Sequence, residues 1–340
     1  MCIKKLLPIC SGLVLFLASC SEDSAQVGGT QLAGDERRNF PEAVYEPDRS
    51  QRANDLFALG RKLFYDPSLS ADDQVSCATC HLQYAAFSDP SHPIAHGVAG
   101  RLGRRNAPGI FNIRWVPDFM WDGGINHIEV LPVAPLTDPV EMAETLENIV
   151  IKVDGNPDYS PLFERAFGSD SITMPRILKA FAQFMGEMDS RNSLFDRYAR
   201  GEEDLNADQK KGLALFDQHC SSCHSGALFT DFGYRNNGLD SIIRDPGRMG
   251  ITGLESDRGK FRTPSLRNVA LTPPYMHDGR FVTLTEVLQH YRNGIKPSAT
   301  LDESLRGGIT LSDQEAQQII VFLQTLSDVS FTNDPRFSQP

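Results

Sequence analysis

Two short stretches decide how this chain folds: Cys77-Ala-Thr-Cys80-His81 and Cys220-Ser-Ser-Cys223-His224. C-x-x-C-H is the attachment motif of c-type haem, in which two thiols add to the haem vinyl groups and the adjoining imidazole becomes the proximal iron ligand. At this chain's own Cys and His frequencies about 0.003 such motifs are expected by chance, so two are a strong signal. One zinc held by the four cysteines would leave the His after each pair without a reason. Disulfides suit an exported protein, but cysteines three apart seldom pair with each other. The sequence therefore predicts two covalent haem c groups.

Working outward, a similar segment precedes each motif. Gly60-Arg-Lys-Leu-Phe64-Tyr-Asp66 matches Gly212-Leu-Ala-Leu-Phe216-Asp217. The second copy reaches its first Cys in four residues and the first in thirteen, which reads as two related units with an insertion in the first. Leu56, Leu59, Leu63 and Phe64 fall at helical spacing. Met174, Ile177, Leu178, Phe181, Met185 and Met188 form another apolar stripe, and Ser312-x-x-Glu315 caps a helix carrying Ile319, Ile320, Leu323 and Leu326. Strand-like alternation is scarce. The fold class is all-α, with two cytochrome c-like domains that each hold one haem, and the charged stretch Arg200–Asp208 is the expected boundary.

The 340 residues suit about two domains at roughly 150 residues each. A formal charge of -11 argues against a nucleic-acid partner and for a basic one. At the N-terminus, Lys4 and Lys5 precede an apolar run from Leu6 to Ala18, too short to span a bilayer and shaped like a secretory signal. It ends Leu17-Ala18-Ser19-Cys20, which resembles the lipobox of bacterial lipoproteins; ordinary cleavage near Ser19 is the alternative. Loss of residues 1–19 takes two lysines and no acid, so the remainder carries -13. The expected layout is a lipoprotein signal peptide (1–19), a flexible tether (20–45), a first haem domain (46–203) and a second (204–340). On this reading the protein works in the periplasm, in contact with a membrane, the outer one favoured, only through lipid on Cys20.

From about Leu56 to Leu326 the chain resembles the bacterial dihaem cytochrome c peroxidases and the related MauG-type enzymes. The resemblance rests on both haem motifs and on RRNAPGIFN (104–112), FMWDG (119–123), DPVEM (138–142) and FRTPSLRNVALTPPYMHDG (261–279). It implies that His81 and His224 are the proximal ligands and that the first domain is peroxidatic and the second transfers electrons. His96 matches a distal His released on activation, although His92 lies close by and MauG-type members can lack this ligand. Glu141 matches the distal-pocket acid that moves a proton during peroxide cleavage, Pro135 fits the same pocket, and Trp121 matches the tryptophan between the haems. Tyr291 falls where peroxidases have a Met ligand and MauG-type enzymes a Tyr; Met276 is an alternative soft ligand, out of register. Thr283-x-x-Glu286 caps the helix leading to Tyr291, with Leu284, Val287 and Leu288 on one face with it. A hard phenolate favours ferric iron, whereas a thioether raises the potential. Asn106, Thr272 and Pro274 match a calcium site between the domains.

Two positions depart from the pattern: Leu131 stands where a Gln is expected, and Gly124 where an Arg is. His277 is expected to brace a haem propionate or a loop. The leading expectation is reduction of hydrogen peroxide with electrons from a small cytochrome c or cupredoxin, with room for a homodimer. MauG-like oxidation of a partner protein is the alternative within the same class, and a non-catalytic dihaem electron carrier is the alternative outside it.

Overall fold

The computed structural model describes residues 40–340; the expected signal peptide, Cys20 and most of the tether lie outside the described residues. The helices run α1 (Ala53–Phe64), α2 (Cys77–Cys80), α3 (Val133–Thr137), α4 (Leu146–Gly155), α5 (Ser160–Phe167), α6 (Met174–Gly186), α7 (Leu194–Ala199), α8 (Ala207–His219), α9 (Met249–Thr252), α10 (Leu284–Gln289), α11 (Asp313–Gln324) and α12 (Val329–Thr332). The one sheet among the described residues is two-stranded and antiparallel, β1 (Tyr234–Arg235) on β2 (Phe261–Arg262), with Tyr234 opposite Arg262.

Each unit is built on a crossing of its first and last long helices. In the first, Gly60 of α1 meets the Ala180 carbonyl and Phe184 of α6; in the second, Gly212 of α8 meets the Gln318 carbonyl and Phe322 of α11. A side chain at either glycine would collide with the opposite backbone, so the repeated Gly sets the interhelical approach. The repeated Phe fills the space beside it. Phe64 lies 5.2 Å from Phe184 and 5.9 Å from Phe87; Phe216 lies 5.1 Å from Phe322 and 5.8 Å from Phe229. The apolar stripes seen in the sequence bury as expected around these crossings, Leu59, Leu63, Ile177 and Phe181 in one core and Ile319, Leu323 and Leu326 in the other. The boxes at Thr283–Glu286 and Ser312–Glu315 cap α10 and α11.

The repeat reaches further than the helices. Asn112 and Asn268 both take positive φ ahead of a short 3-10 turn, and Met120 and Met276 do so inside FMWDG and YMHDG. Each of these loops is closed by an antiparallel bridge, Phe119 with Ile125 and Tyr275 with Phe281. Trp121 and His277 are thus equivalent positions of two copies.

The packing divides the chain differently from a cut at 203. Phe195 and Ala199 of α7 belong to the second core, while Phe331 and Phe337, at the far C-terminus, belong to the first. These phenylalanines have apolar area to bury, and the first core offers it at Phe57, Phe87 and Phe184. Residues 40–45, expected in the tether, are held as well. The Pro41 carbonyl accepts from Trp115 Nε1 at 2.8 Å, the Phe40 ring lies tilted 4.9 Å from Trp115, and Arg267 lies over Phe40. Between the units Ser190 binds both repeated asparagines: its carbonyl accepts from Asn112 Nδ2 (2.8 Å) and its hydroxyl from Asn268 Nδ2 (2.9 Å). Asp328, which caps α12, accepts from the same hydroxyl at 3.2 Å.

Candidate functional site

In the first motif the two cysteines sit on a single turn, α2, closed by a capping box between Ser76 and Thr79. His81 follows, and its Nδ1 donates to the Phe87 carbonyl at 2.7 Å; in the second motif His224 Nδ1 donates to the Phe229 carbonyl at 3.1 Å. Each bond fixes the ring and leaves Nε2 for iron, the usual arrangement of a ligating imidazole. Burial keeps both rings neutral, pushing His81 down and His224 to about 4. None of the four motif cysteines forms a disulfide. Among the described residues no three His, Cys, Asp or Glu side chains gather into a metal-binding group, so the two C-x-x-C pairs do not form one zinc site. This donor set, two thiols and one oriented imidazole per unit, fits a covalent haem in each.

Three further segments close around the first motif. The His96 carbonyl lies 3.7 Å from Cys80 Sγ, and Gly97 packs so closely on Val140 and Glu141 that no Cβ fits. The Val98 amide then donates to the Glu141 carbonyl (2.8 Å), and the Met142 amide to that of Pro135 (3.1 Å). Cys80, His96, Pro135 and Glu141 are therefore brought together beside the first motif. Burial, with a smaller push from Asp138, raises the Glu141 pKa, and its charge is felt at both Cys77 and Cys80. The His96 ring stands edge-on to His92, 4.1 Å between centroids, and His92 Nδ1 lies 3.0 Å from the buried Asp89 carboxylate. Leu131, at the position of the expected Gln, packs against the first hydrophobic core.

Trp121 lies where the units meet. Its Nε1 donates to the Asn106 carbonyl at 2.9 Å, and its own carbonyl accepts from the Arg262 amide of β2 at 2.8 Å. Around it Arg105 joins Asp122 of its own unit to Asp245 of the other. Gly124 lacks the expected Arg, and a guanidinium reaches this turn from the second unit instead: Arg248 donates to the Asp122 and Gly123 carbonyls at 3.0 and 2.9 Å. His277 stacks on Phe261 with 3.7 Å between ring centroids. Its carbonyl accepts from the Asn106 amide at 2.8 Å, which puts Asn106 beside the segment carrying Thr272 and Pro274. Asn106 is buried, and its Nδ2 donates to the Pro93 carbonyl at 3.1 Å, leaving the side-chain oxygen to act as an acceptor.

In the second unit α10 ends at Gln289, and Tyr291 lies on a π-helical turn, His290–Gly294, rather than on a continued α-helix. Such turns re-aim a side chain and recur at functional sites. Cys220 and Cys223 of the second motif lie within electrostatic reach of the phenol, and burial raises its pKa. Asn237 touches it, with Nδ2 3.5 Å from the Tyr291 oxygen and 3.3 Å from Met276 Sδ. Sequence reasoning missed Asn237, which belongs to no motif. It also missed the FMWDG/YMHDG repeat, which a comparison of the chain with itself beyond the haem motifs would have exposed.

The fold and the two motif sites define a two-domain c-type cytochrome. The sequence model of the family described as di-haem cytochrome c peroxidase matches residues 54–204, and that of cytochrome c matches 209–327. A methylamine utilization protein MauG from Methylorubrum extorquens is 35% identical over 93% of this chain and 89% of its own length. A cytochrome c551 peroxidase from Nitrosomonas europaea is 33% identical over 84% of this chain and 83% of its own. Among solved structures, a MauG-like protein associated with microbial copper homeostasis superposes with a TM-score of 0.79 at 33% identity, covering 89% of this chain and 98% of that one. The chain belongs to the dihaem cytochrome c peroxidase/MauG family, a family of oxidoreductases, and its two domains are each of the haem c type.

Proposed function

We propose that this protein is a dihaem c-type peroxidase that reduces hydrogen peroxide to water with electrons from a small redox protein, a cytochrome c or a cupredoxin. The observation that carries the reading is Glu141, a half-buried carboxyl whose pKa is raised, held beside Cys77 and Cys80 of the first motif through the Val98 and Gly97 contacts. In this role the Glu141 carboxylate takes the proton from the inner oxygen of a peroxide held there and returns it to the outer oxygen, which leaves as water when the O–O bond breaks; the inner oxygen becomes a second water on taking two electrons from the donor protein and two protons from solvent. Pro135 lies beside Glu141, its carbonyl accepting from the Met142 amide. Cys77, Cys80 and His81 hold one haem and Cys220, Cys223 and His224 the other; each haem supplies the iron that accepts and passes on electrons. Trp121, with its indole N–H fixed on Asn106 at the junction of the units, serves as the electron relay between them. The Asn106 side-chain oxygen and the Thr272 and Pro274 carbonyls are proposed as the neutral-oxygen ligands of a calcium ion that ties the units together.

A second reading, MauG-like oxidation of a partner protein, is favoured by Tyr291 and by Leu131, which stands where a peroxidase Gln is expected. A phenolate on the second iron suits ferric and more oxidised states, and a relative 35% identical is named for methylamine utilization. We place the protein in the periplasm, held by lipid on Cys20; among the described residues no helix is long and apolar enough to cross a membrane. The charge of -13 left after signal removal would steer a basic donor toward it.

Spectroscopy of the oxidised and half-reduced protein, with peroxide added to each, separates the readings. A high-spin haem that appears only after half-reduction supports the donor-driven peroxidase with His96 as a released ligand. One already present in the oxidised protein, with both haem spectra responding to peroxide, supports the second. No response in any state overturns both and leaves an electron carrier.

A further inference from the structure

Asn237 stands at an unusual junction. Its side-chain NH2 has two hydrogens, and the two acceptors nearest it are the Met276 sulfur at 3.3 Å and the Tyr291 oxygen at 3.5 Å, the latter at the outer limit of a hydrogen bond. These are the two side chains able to supply a distal ligand to the second iron. The amide is not free to swing away. The Asn237 carbonyl accepts from His290 Nε2 at 2.9 Å, the residue just before Tyr291, and the Gly238 carbonyl accepts from the Lys296 amide at 2.7 Å, just past the π-helical turn. Asn236 pins the loop from the other side, its Nδ2 donating to Ser298 and Thr300 at 3.0 and 2.9 Å. Met276 is held by its backbone too, with φ at +74°, where a residue bearing a Cβ is strained. Met120, its counterpart in the first unit, shares that conformation at +67°, so the strain belongs to the repeated loop and brings the sulfur to the amide.

We propose that Asn237 is the positioning residue of the second haem, presenting the Tyr291 oxygen to iron while engaging the Met276 sulfur; this rests on the reading of Tyr291 as the ligand. A donor on a ligating phenolate draws electron density from its oxygen, so Asn237 tempers how strongly that oxygen favours ferric over ferrous iron. Removing this long contact is expected to strengthen the ferric preference by up to about tenfold. For one electron a tenfold change lowers the potential by about 59 mV.

The test is spectroelectrochemistry of the dihaem protein carrying Asn237→Leu, with Asn236→Ala and Tyr291→Phe alongside. Asn237→Leu is expected to lower the second haem's midpoint potential and shift its phenolate-to-iron charge-transfer band, leaving the first haem unchanged. Asn236→Ala, which loosens the same loop without touching the phenol, is expected to lower Tm and leave both signals where they were. If Asn237→Leu leaves potential and band at their parental values, or if Asn236→Ala moves them equally, the inference is overturned. Tyr291→Phe tells the two failures apart: if it leaves the second haem's spectrum intact, Tyr291 is not the ligand and the underlying reading fails.

Discussion

At the scale of single residues, the chemistry depends on side chains whose surroundings differ from those of their type in water. Glu141 is the clearest. Burial, with a smaller push from Asp138, raises the Glu141 pKa above its ordinary value. The relay needs the carboxylate to accept a proton first, so peroxide consumption should fall as pH is lowered through the raised Glu141 pKa. Glu141→Gln should slow the peroxide step by about 10²–10⁴-fold and remove that acid limb, with haem content unchanged. Stopped-flow mixing with peroxide across pH checks both, and a variant with the parental profile would remove Glu141 from the mechanism. Tyr291→Met makes the complementary change at the other haem: a thioether should raise its potential, read by redox titration. Legible in the sequence were the two C-x-x-C-H runs, fixed by covalent chemistry, and the haem c domain built on each; Glu141 and Trp121 were proposed from motifs alone. Asn237 and Arg248 were not, because each acts through a contact with a residue far away in the chain, Tyr291 in one case and Gly123 in the other.

At the scale of elements, the helix crossings repeat one solution twice. Ala normally improves on Gly in a helix interior by about 1 kcal/mol. At Gly60 and Gly212 the added methyl would meet a carbonyl of the crossing helix, so the sign reverses. Gly60→Ala and Gly212→Ala should each destabilise by about 1–3 kcal/mol through overpacking, measured by denaturant midpoints. Gly155→Ala, at a helical glycine with open space around it, is the control and should not destabilise. Helical periodicity made α1, α6 and α11 readable, because each presents an apolar stripe to one partner. It failed after Gln289, where the capping box predicts the start of α10 but nothing local announces the switch to a π turn. The contacts of His290 with Asn237 and of Lys296 with Gly238 hold that turn, and both are tertiary.

At the scale of the molecule, the two units were legible as an internal repeat, but the segments they exchange between cores were not, because cores are assembled in space. The chain leaves the first unit near Ser190, builds the second, and returns its last residues to the first. Phe337 is buried among Phe57, Phe87 and Phe184, and Tyr65 donates its hydroxyl to the Phe337 carbonyl at 2.6 Å. Arg61 and Gln83 reach the same tail at the Arg336 and Asp334 carbonyls. All three donors belong to the first unit, flanking the repeated Phe64 and the His81 ligand. A residue 256 positions after His81 therefore contributes to the pocket that orients it. Removing a buried Phe side chain typically costs about 3–5 kcal/mol. Phe337→Ala should spend that loss on α1 and α6, not on α8 and α11, although the latter pair is nearer in sequence. Hydrogen exchange resolves the two, since local opening energies differ between cooperative units. Amide protection in α1 and α6 is expected to drop while that of α8 and α11 stays close to parental. Equal loss in both units would mean that the tail braces the junction as a whole, and loss confined to α8 and α11 would refute its assignment to the first core.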